Sequence, residues 1–505
     1  MCWIAWDKLT RGKREGGLGL RNLQDFNDAL LSKLSWRILS NPDCLLARIL
    51  KGKYFPNTTF LESKLGEGGS HGWKGIIIGR DLLKEKLGKI IGNGKKTSVW
   101  DDPWLSTKEP KRPMGPAPRQ FKDFKVADLF IPNTRRWNEE LINVLLPSCK
   151  EEILCIIPGS YEVEDRLAWL PQRNGEYTVK TGYYVARGRS LTDQQAAGTQ
   201  DNFHWITDIW NGKFAPKLKL FLWKSVQGAL PVGENLAMRG IMSQSRCTHC
   251  GEAETTLHLL FLCPFTQAVW DHAPFRNPVE EQSFTSVKEG ISKLKTLTCL
   301  PPIGIDGGTL APWILWSIWL SRNSKIFSNR RTSAKETLNL ALIRAREWTS
   351  AQGEQRVSTQ KAGSIRTMPP IGIQCHTDGA WNEERKAGGM GWTFHEDQKL
   401  IGQGSKAMEH IGSPIVAEGM AIRLALNQAL DLGFTSLHVA SDSAQVITAI
   451  NSGDPLSEIY GILQDISYLS LLFRSVTFVS TPRKANILAD ASAKLSLCAF
   501  LAVGE

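Results

Sequence analysis

Four carboxylates in the last third of this 505-residue chain, Asp378, Glu418, Asp442 and Asp490, have the type and spacing to do chemistry. Singly, each has an ordinary role: Asp-Gly makes a turn, Glu at a helix start suits the helix dipole, and Asp ahead of a helix caps it. Brought together they repel one another unless cations neutralise them, and an all-oxygen donor set suits magnesium or manganese rather than zinc. Two such ions about 3.5–4 Å apart can activate a water and stabilise a leaving oxygen, which is the chemistry of phosphodiester hydrolysis.

The elements around the four acids must bring them to a common point. Asp378 lies in residues 371–380, where alternating apolar residues run into Asp378-Gly379, with residues 388–394 as the paired strand. Glu418 opens a run at helical spacing that Gly433 stops, so its side chain is expected in a helix's first turn. Asp442 stands between a strand at 437–440 and a helical pattern at 443–450, a strand-to-helix junction of the kind that carries function in α/β folds. Asp490 belongs to the early part of a helical stretch at 486–495.

The ordered set carries more than its members. Thr377-Asp378-Gly379-Ala380, Glu418 with Ala421 and Ala425-Leu426, Ser441-Asp442-Ser443 with Gln445, and Asn486 with Ala489-Asp490 resemble the RNase H superfamily. More specifically, they resemble the RNase H-like domain that ends plant non-LTR retrotransposon polyproteins and their domesticated relatives. The resemblance implies a mixed sheet flanked by helices and the four acids as the catalytic quartet, holding two magnesium (or manganese) ions. The implied reaction cuts the RNA strand of an RNA–DNA hybrid, leaving a 3′-hydroxyl and a 5′-phosphate. One departure stands out: cellular members carry a histidine in the loop before the last aspartate, whereas residues 479–486 here contain none and no histidine follows His438. Arg483 or Lys484 is the alternative phosphate contact in that loop, against the plainer reading of a solvated basic turn.

A second constellation, Cys247, Cys250, His258 and Cys263, follows C-x2-C-x7-H-x4-C. The close cysteine pair presents two thiolates from one turn, and His258 and Cys263 complete a closed tetrahedral zinc site from a short helix. His249 is the competing nitrogen, but it sits between two ligand cysteines and would strain their turn; a CxxC alone also serves redox chemistry. With Trp205-Ile206-Thr207-Asp208-Ile209-Trp210, residues 216–224 and Trp270, the set looks like the zinc-binding module that follows reverse transcriptases in the same elements. By that resemblance the zinc is a structural staple. Lys213, Lys217, Lys219 and Lys224, interleaved with aromatics, would suit phosphate contact and base stacking, or the wet face of an amphipathic helix.

Residues 3–8, 16–23 and 27–37, then His71-Gly72-Trp73, Gly92-Asn93-Gly94 and Trp100-Asp101-Asp102-Pro103-Trp104, look like the region just after the polymerase palm of these elements. On that reading Met1 falls downstream of the polymerase. The polymerase's Tyr-x-Asp-Asp turn is missing, and Asp101-Asp102 between Trp100 and Pro103 reads as a structural turn, so DNA synthesis is not expected.

Composition fits a multi-domain protein, with 42% apolar residues and about three to four domains at the usual size. The most apolar run, residues 311–320, is shorter than the roughly 20 needed to cross a membrane, no signal peptide is evident, and the other seven cysteines lack a disulfide spacing; an intracellular setting, the nucleus included, is expected. From residue 371 onward nine Lys/Arg face fourteen Asp/Glu, a net of −5, so the remaining 370 residues must carry +16 to give the chain's +11. A basic upstream body is therefore expected to hold nucleic acid, an RNA–DNA hybrid or other duplex, for an acidic carboxyl-terminal domain.

The expected organisation is multi-domain α+β, with helical amino-terminal and zinc-binding regions followed by an RNase H-like α/β domain. Its divisions are a post-polymerase region at 1–110, a connecting region at 111–190, the zinc-binding domain at 201–275, a helical region at 276–350, a polar linker at 351–370 ending in Pro369-Pro370, and the RNase H-like domain at 371–500. The expected function is a nucleic-acid-binding, two-metal hybrid ribonuclease with a structural zinc. Its rival is a catalytically inactive, retrotransposon-derived binding protein.

Overall fold

The structure, a computed structural model, describes residues 3–66, 69–192, 203–241, 245–279, 283–352 and 372–503. It divides into two units, one of Met1–Asn22 with Gln194–Gly363 and one of Leu23–Asp193 with Ser364–Glu505. Residues 3–22 thus group with the zinc-bearing segment and not with the rest of 1–110. The cause is a tertiary tie: the Gly16 carbonyl accepts Trp223 Nε1–H at 2.8 Å and Gln227 Nε2–H at 2.7 Å, which draws the amino-terminal segment onto the helix Pro216–Val226. Of the expected linker, 351 ends the helix Ala334–Ala351 and 353–370 lie outside the described residues, as does the expected boundary beyond Thr192.

The second unit is built on a five-stranded mixed sheet. Its strands are β1 (Ile373–Asn382), β2 (Ala387–Glu396), β3 (Lys399–Met408), β4 (Ser436–Ser441) and β5 (Ser475–Ser480), in the order β3-β2-β1-β4-β5. The first three form an antiparallel meander, while β4 and β5 run parallel to β1. Four helices complete it: α1 (Pro414–Asp431), α2 (Ala444–Ser452), α3 (Tyr460–Ser470) and α4 (Ile487–Val503). The alternation in β1 buries Cys375 and Thr377 on one face, where Met420, Ala421, Ala425 and Leu426 of α1 fill the core with Met390 and Phe394 of β2. β3 carries no apolar alternation to announce it, since its residues are largely exposed and its pairing to β2 alone makes it a strand.

Helix α1 begins at Pro414 and not at Glu418, because proline lacks an N–H and is preset for the first helical position behind Ser413. Glu418 therefore stands in the second turn, a correction to the sequence reading. Val479 and Ser480, expected in a loop, close β5.

The rest of the second unit is mainly helical, with the antiparallel pair Leu87–Ile90 and Arg166–Trp169. The turn Gly92-Asn93-Gly94 folds around Asp165, whose carboxylate accepts the backbone N–H of Gly92, Gly94 and Lys96 at 2.7–3.0 Å. Asp102 accepts Ser98 N–H at 2.7 Å and pairs with Lys89, so the adjacent aspartates are structural. The segment before the strand Arg166–Trp169 docks on the sheet domain through Asp465 of α3, which is buried: its carboxylate accepts Ser160 N–H at 2.7 Å and Oγ–H at 3.0 Å, and pairs with Arg423 of α1 at 2.8 Å.

Two glycines set how closely helices approach the sheet. A Cβ on Gly379 of β1 would lie 2.5 Å from the backbone of Ala417 and Glu418, and one on Gly391 of β2 would lie 2.4 Å from Ala493 N. Both neighbours are backbone, so the helix itself would have to move. Gly379→Ala is expected to destabilise the sheet domain by about 1–3 kcal/mol through overpacking, read as a lower denaturant midpoint of the full chain with an unchanged slope.

Candidate active site and zinc site

The register of two parallel strands begins the carboxylate site. Thr377 of β1 pairs with Ser441 of β4, so Asp378 and Asp442 each stand one residue beyond that pair, side by side where β4 ends and β1 runs on past it. Gly379 admits α1, and with it Glu418. Carboxylate oxygens of Asp378, Glu418 and Asp442 lie within 4.8 Å of one another. Asp490, in the first turn of α4, stands outside this trio, paired with Lys494 at 2.7 Å, yet close enough for its charge to act on Asp378.

The surroundings hold these acids in place. Asn486 is 1% exposed, and its Nδ2 donates to Thr377 O at 2.9 Å and to Asp378 Oδ1 at 3.1 Å. Ser441 Oγ–H donates to Glu418 Oε2 at 3.4 Å and accepts Ser443 N–H at 3.0 Å. Arg483, its side chain 93% exposed, donates from Nε to Asp442 Oδ2 at 3.0 Å. The sequence offered Asn486 only as one letter of a motif; its double donation is visible once β1 and α4 meet.

Burial first, then the charges of Asp442 and Asp490, pushes Asp378 up to about 7. Burial and the charges of Asp378 and Asp442 push Glu418 up to about 8. Three carboxylates at this separation, two of them pushed up toward neutrality or past it, form an oxygen-only donor set that fits a hard divalent cation.

The sulfur site is assembled by a different device. Cys247 Sγ and Cys263 Sγ are 3.8 Å apart, Cys250 Sγ and His258 Nε2 are 3.1 Å apart, and all four ligand atoms lie within 4.8 Å. A tetrahedron with metal–sulfur bonds of about 2.3 Å has a sulfur–sulfur edge of about 3.8 Å, so the thiols already stand at zinc spacing. His258 enters from a π-helical turn, His258–Leu262, in place of the expected short helix; Cys263 N–H reaches His258 O at 2.8 Å, and Cys263 then precedes the helix Pro264–Asp271. His249 stacks on Phe265 with ring centroids 4.0 Å apart, outside the cluster. The Cys247 thiol is pulled down to about 4 by its hydrogen bond with Cys263, which is itself pushed up.

A buried ion pair fixes the ligand loop. Glu254, between the cysteine pair and His258, receives Arg322 Nη2–H at 2.6 Å and Nε–H at 2.9 Å, with side chains 2% and 5% exposed, and also accepts Gly233 N–H at 2.7 Å. Arg322 belongs to the helix Gly307–Ser328, whose Lys325 also donates to Thr248 O. The lysines expected to face phosphate are partly committed elsewhere. Lys217 lies over the Trp313 ring at 5.2 Å, and Lys219 donates to Trp210 O at 2.7 Å. For these two, packing against the aromatics has won over a free basic face.

A family model described as zinc-binding in reverse transcriptase matches residues 177–270, and one described as reverse transcriptase-like matches residues 376–496. An uncharacterised mitochondrial protein of Arabidopsis thaliana is 44% identical over 115 residues, 23% of this chain and 75% of that protein. A putative ribonuclease H protein of the same plant is 28% identical over 277 residues, 53% of this chain, so that the chain spans 43% of that relative's own length. Among solved structures, RNase H1 from the archaeon Halobacterium salinarum is 23% identical with a TM-score of 0.24, covering 25% of this chain and 96% of that one. LC11-RNase H1 in complex with RNA/DNA hybrid is 19% identical with a TM-score of 0.24, covering 26% of this chain and 99% of that one. Among the described residues, no helix is long and apolar enough to cross a membrane.

Two outcomes are expected. Arg322→Met strands a buried carboxylate and should cost about 3–5 kcal/mol, whereas adding Glu254→Leu to it should recover much of that loss in a double-mutant denaturation cycle. For the carboxylates, folded-state values above the unfolded ones mean that the metal-free folded protein holds more protons. Its stability should therefore fall as pH rises from about 4, the usual carboxylate value, through about 8. Magnesium should flatten that fall in melting curves taken across the same range.

Proposed function

This chain belongs to the retrotransposon-type polyproteins that carry a reverse-transcriptase zinc-binding region and an RNase H-like domain, and on that premise we propose that it hydrolyses the RNA strand of RNA–DNA hybrids. The single observation that carries the proposal is the convergence of Asp378, Glu418 and Asp442 within 4.8 Å, from the middle of β1, the carboxyl end of β4 and α1. Asp490 completes the set from α4.

Magnesium or manganese held by these four acids would supply activation of the attacking water and stabilisation of the leaving 3′-oxygen. The chain's own residues do the positioning. Asn486 holds Asp378 in one orientation, Ser441 holds Glu418, and the exposed guanidinium of Arg483 stands at the mouth in the loop where cellular enzymes place a histidine. Cys247, Cys250, His258 and Cys263 would hold a zinc ion, which would serve as a staple that keeps the region folded.

A second reading has its own support. Arg483 on Asp442 and Lys494 on Asp490 are internal cations that already neutralise part of the acid set. A site content with them alone would leave a hybrid-binding protein that does not cut.

The deciding assay incubates full-length protein with a strand-labelled hybrid in magnesium, beside Asp442→Asn and an EDTA control. Cleavage confined to the RNA strand, lowered at least about a hundredfold in the variant, is expected. Intact hybrid with binding retained would leave the second reading standing.

A further inference from the structure

Of the lysines interleaved with aromatics, Lys213 is exposed and makes no ion pair among the described residues, and it stands at a cavity of about 250 Å³ in the zinc-bearing unit. The cavity opens between the π-helical turn Ile206–Trp210, the helix Val287–Leu294 and the first turns of the helix Gly307–Ser328. Its wall contains no residue of the carboxylate cluster or the zinc cluster.

The interior is apolar and the edge is polar. Phe214, Leu222, Ile291 and Leu315, all buried, line the inside. Asn211, Asp306 and Thr309 bring an amide, a carboxylate and a hydroxyl to the wall, and these side chains have no hydrogen-bond partner among the described residues. A second carboxylate, Asp208, is already satisfied: it accepts Ser292 Oγ–H at 2.7 Å and pairs with Lys295 at 3.0 Å. A small, mostly apolar hollow with a few donors and acceptors suits a flat ring with a polar edge.

The charge of the unit selects the ring. Met1–Asn22 and Gln194–Gly363 carry 24 Lys/Arg against 15 Asp/Glu, a net of +9 within a chain of net +11. Such a unit draws a polyanion and repels a basic partner. The carboxylate of Asp306 keeps phosphate out of the cavity and can accept a base N–H, so the ring enters while the backbone stays outside, on the side of Lys213.

We infer that this cavity takes one unstacked nucleobase of a single-stranded polynucleotide, with Lys213 on an adjoining phosphate. An unpaired strand offers its base without the cost of opening a duplex, and insertion tolerates any sequence because every base has an apolar face. The zinc-bearing unit thereby holds a ligand distinct from the hybrid assigned to the sheet domain, and the inference stands whether or not the carboxylates cut.

The test measures anisotropy of a short labelled single strand with the full-length protein, prepared with zinc and without magnesium, over a series of salt concentrations. Two strands are compared, one carrying bases and one with an abasic site at every position. The base-bearing strand should bind at least about tenfold more tightly. Thr309→Phe, which fills the cavity from the first turn of its helix, should erase that ratio while affinity for the abasic strand stays level, a result an unfolded variant would not give. Thr309→Ser should behave as wild type. Lys213→Gln should weaken binding of both strands and lower the logarithmic salt slope by about 0.7, whereas Lys335→Gln, an equal charge change on the helix Ala334–Ala351, should do so less. Strands of RNA and of DNA, run in parallel, distinguish the two sources of the base, and the ratio in either supports the cavity. An unchanged ratio in Thr309→Phe, equal losses on both strands in that variant, equal losses in the two lysine variants, or a wild type that binds both strands alike would overturn the inference. So would a wild type that binds no single strand, a result that would leave the cavity to an apolar side chain of a protein partner.

Discussion

Everything in the sheet domain answers to one electrostatic constraint: three carboxylates of like charge must be held within 4.8 Å in a partly buried place. Mutual repulsion and lost hydration both disfavour the arrangement, and only a rigid frame keeps it. The frame is made of backbone. Parallel pairing of β1 with β4 fixes two acids in register, and the bare glycine after the first lets α1 press the third against them. Gly391 does the same for α4 on the other face, bringing in Asn486 and Asp490. What remains unfavourable is what a divalent cation would relieve.

The first unit solves the same problem with softer ligands. Three thiols and His258 stand together, and their loop is held from outside by the Glu254–Arg322 pair. A buried pair of this kind adds little net stability over an apolar replacement, but it fixes one register for the loop that carries it. Here that register decides which histidine faces the sulfurs: His258 does, while His249 lies flat on Phe265.

Much of this was legible in the chain itself. Residue type and order are enough to single out both sets as candidates, and the structure brings together three of the four acids and all four of the Cys/His residues. The paired strand after Asp378 and the junction at Asp442 follow from periodicity alone. The start of α1 lies four residues ahead of the expected Glu418, because Ser413-Pro414 is the actual start signal. β3 left no pattern, since a strand at a sheet edge with an exposed face is specified by its partner. Lys217 and Lys219 looked free because sequence does not say which aromatic ring a flexible cation will cover. Least legible were long-range ties: Gly16 to Trp223, Arg173 to Ser457, and Ser160 to Asp465 join residues 150 or more apart and leave no local trace.

The last of these ties bears on how such chains can be recombined. Asp465 is a buried carboxylate whose partners are Arg423 within the sheet domain and Ser160 outside it. A crossover placed between residues 165 and 371 that joined the sheet domain to a foreign upstream sequence would leave Asp465 with its counter-ion but without two of its three donors. Exchange between elements is therefore tolerated most readily when the segment around Ser160 travels with the sheet, so the unit of inheritance is longer than the unit of chemistry.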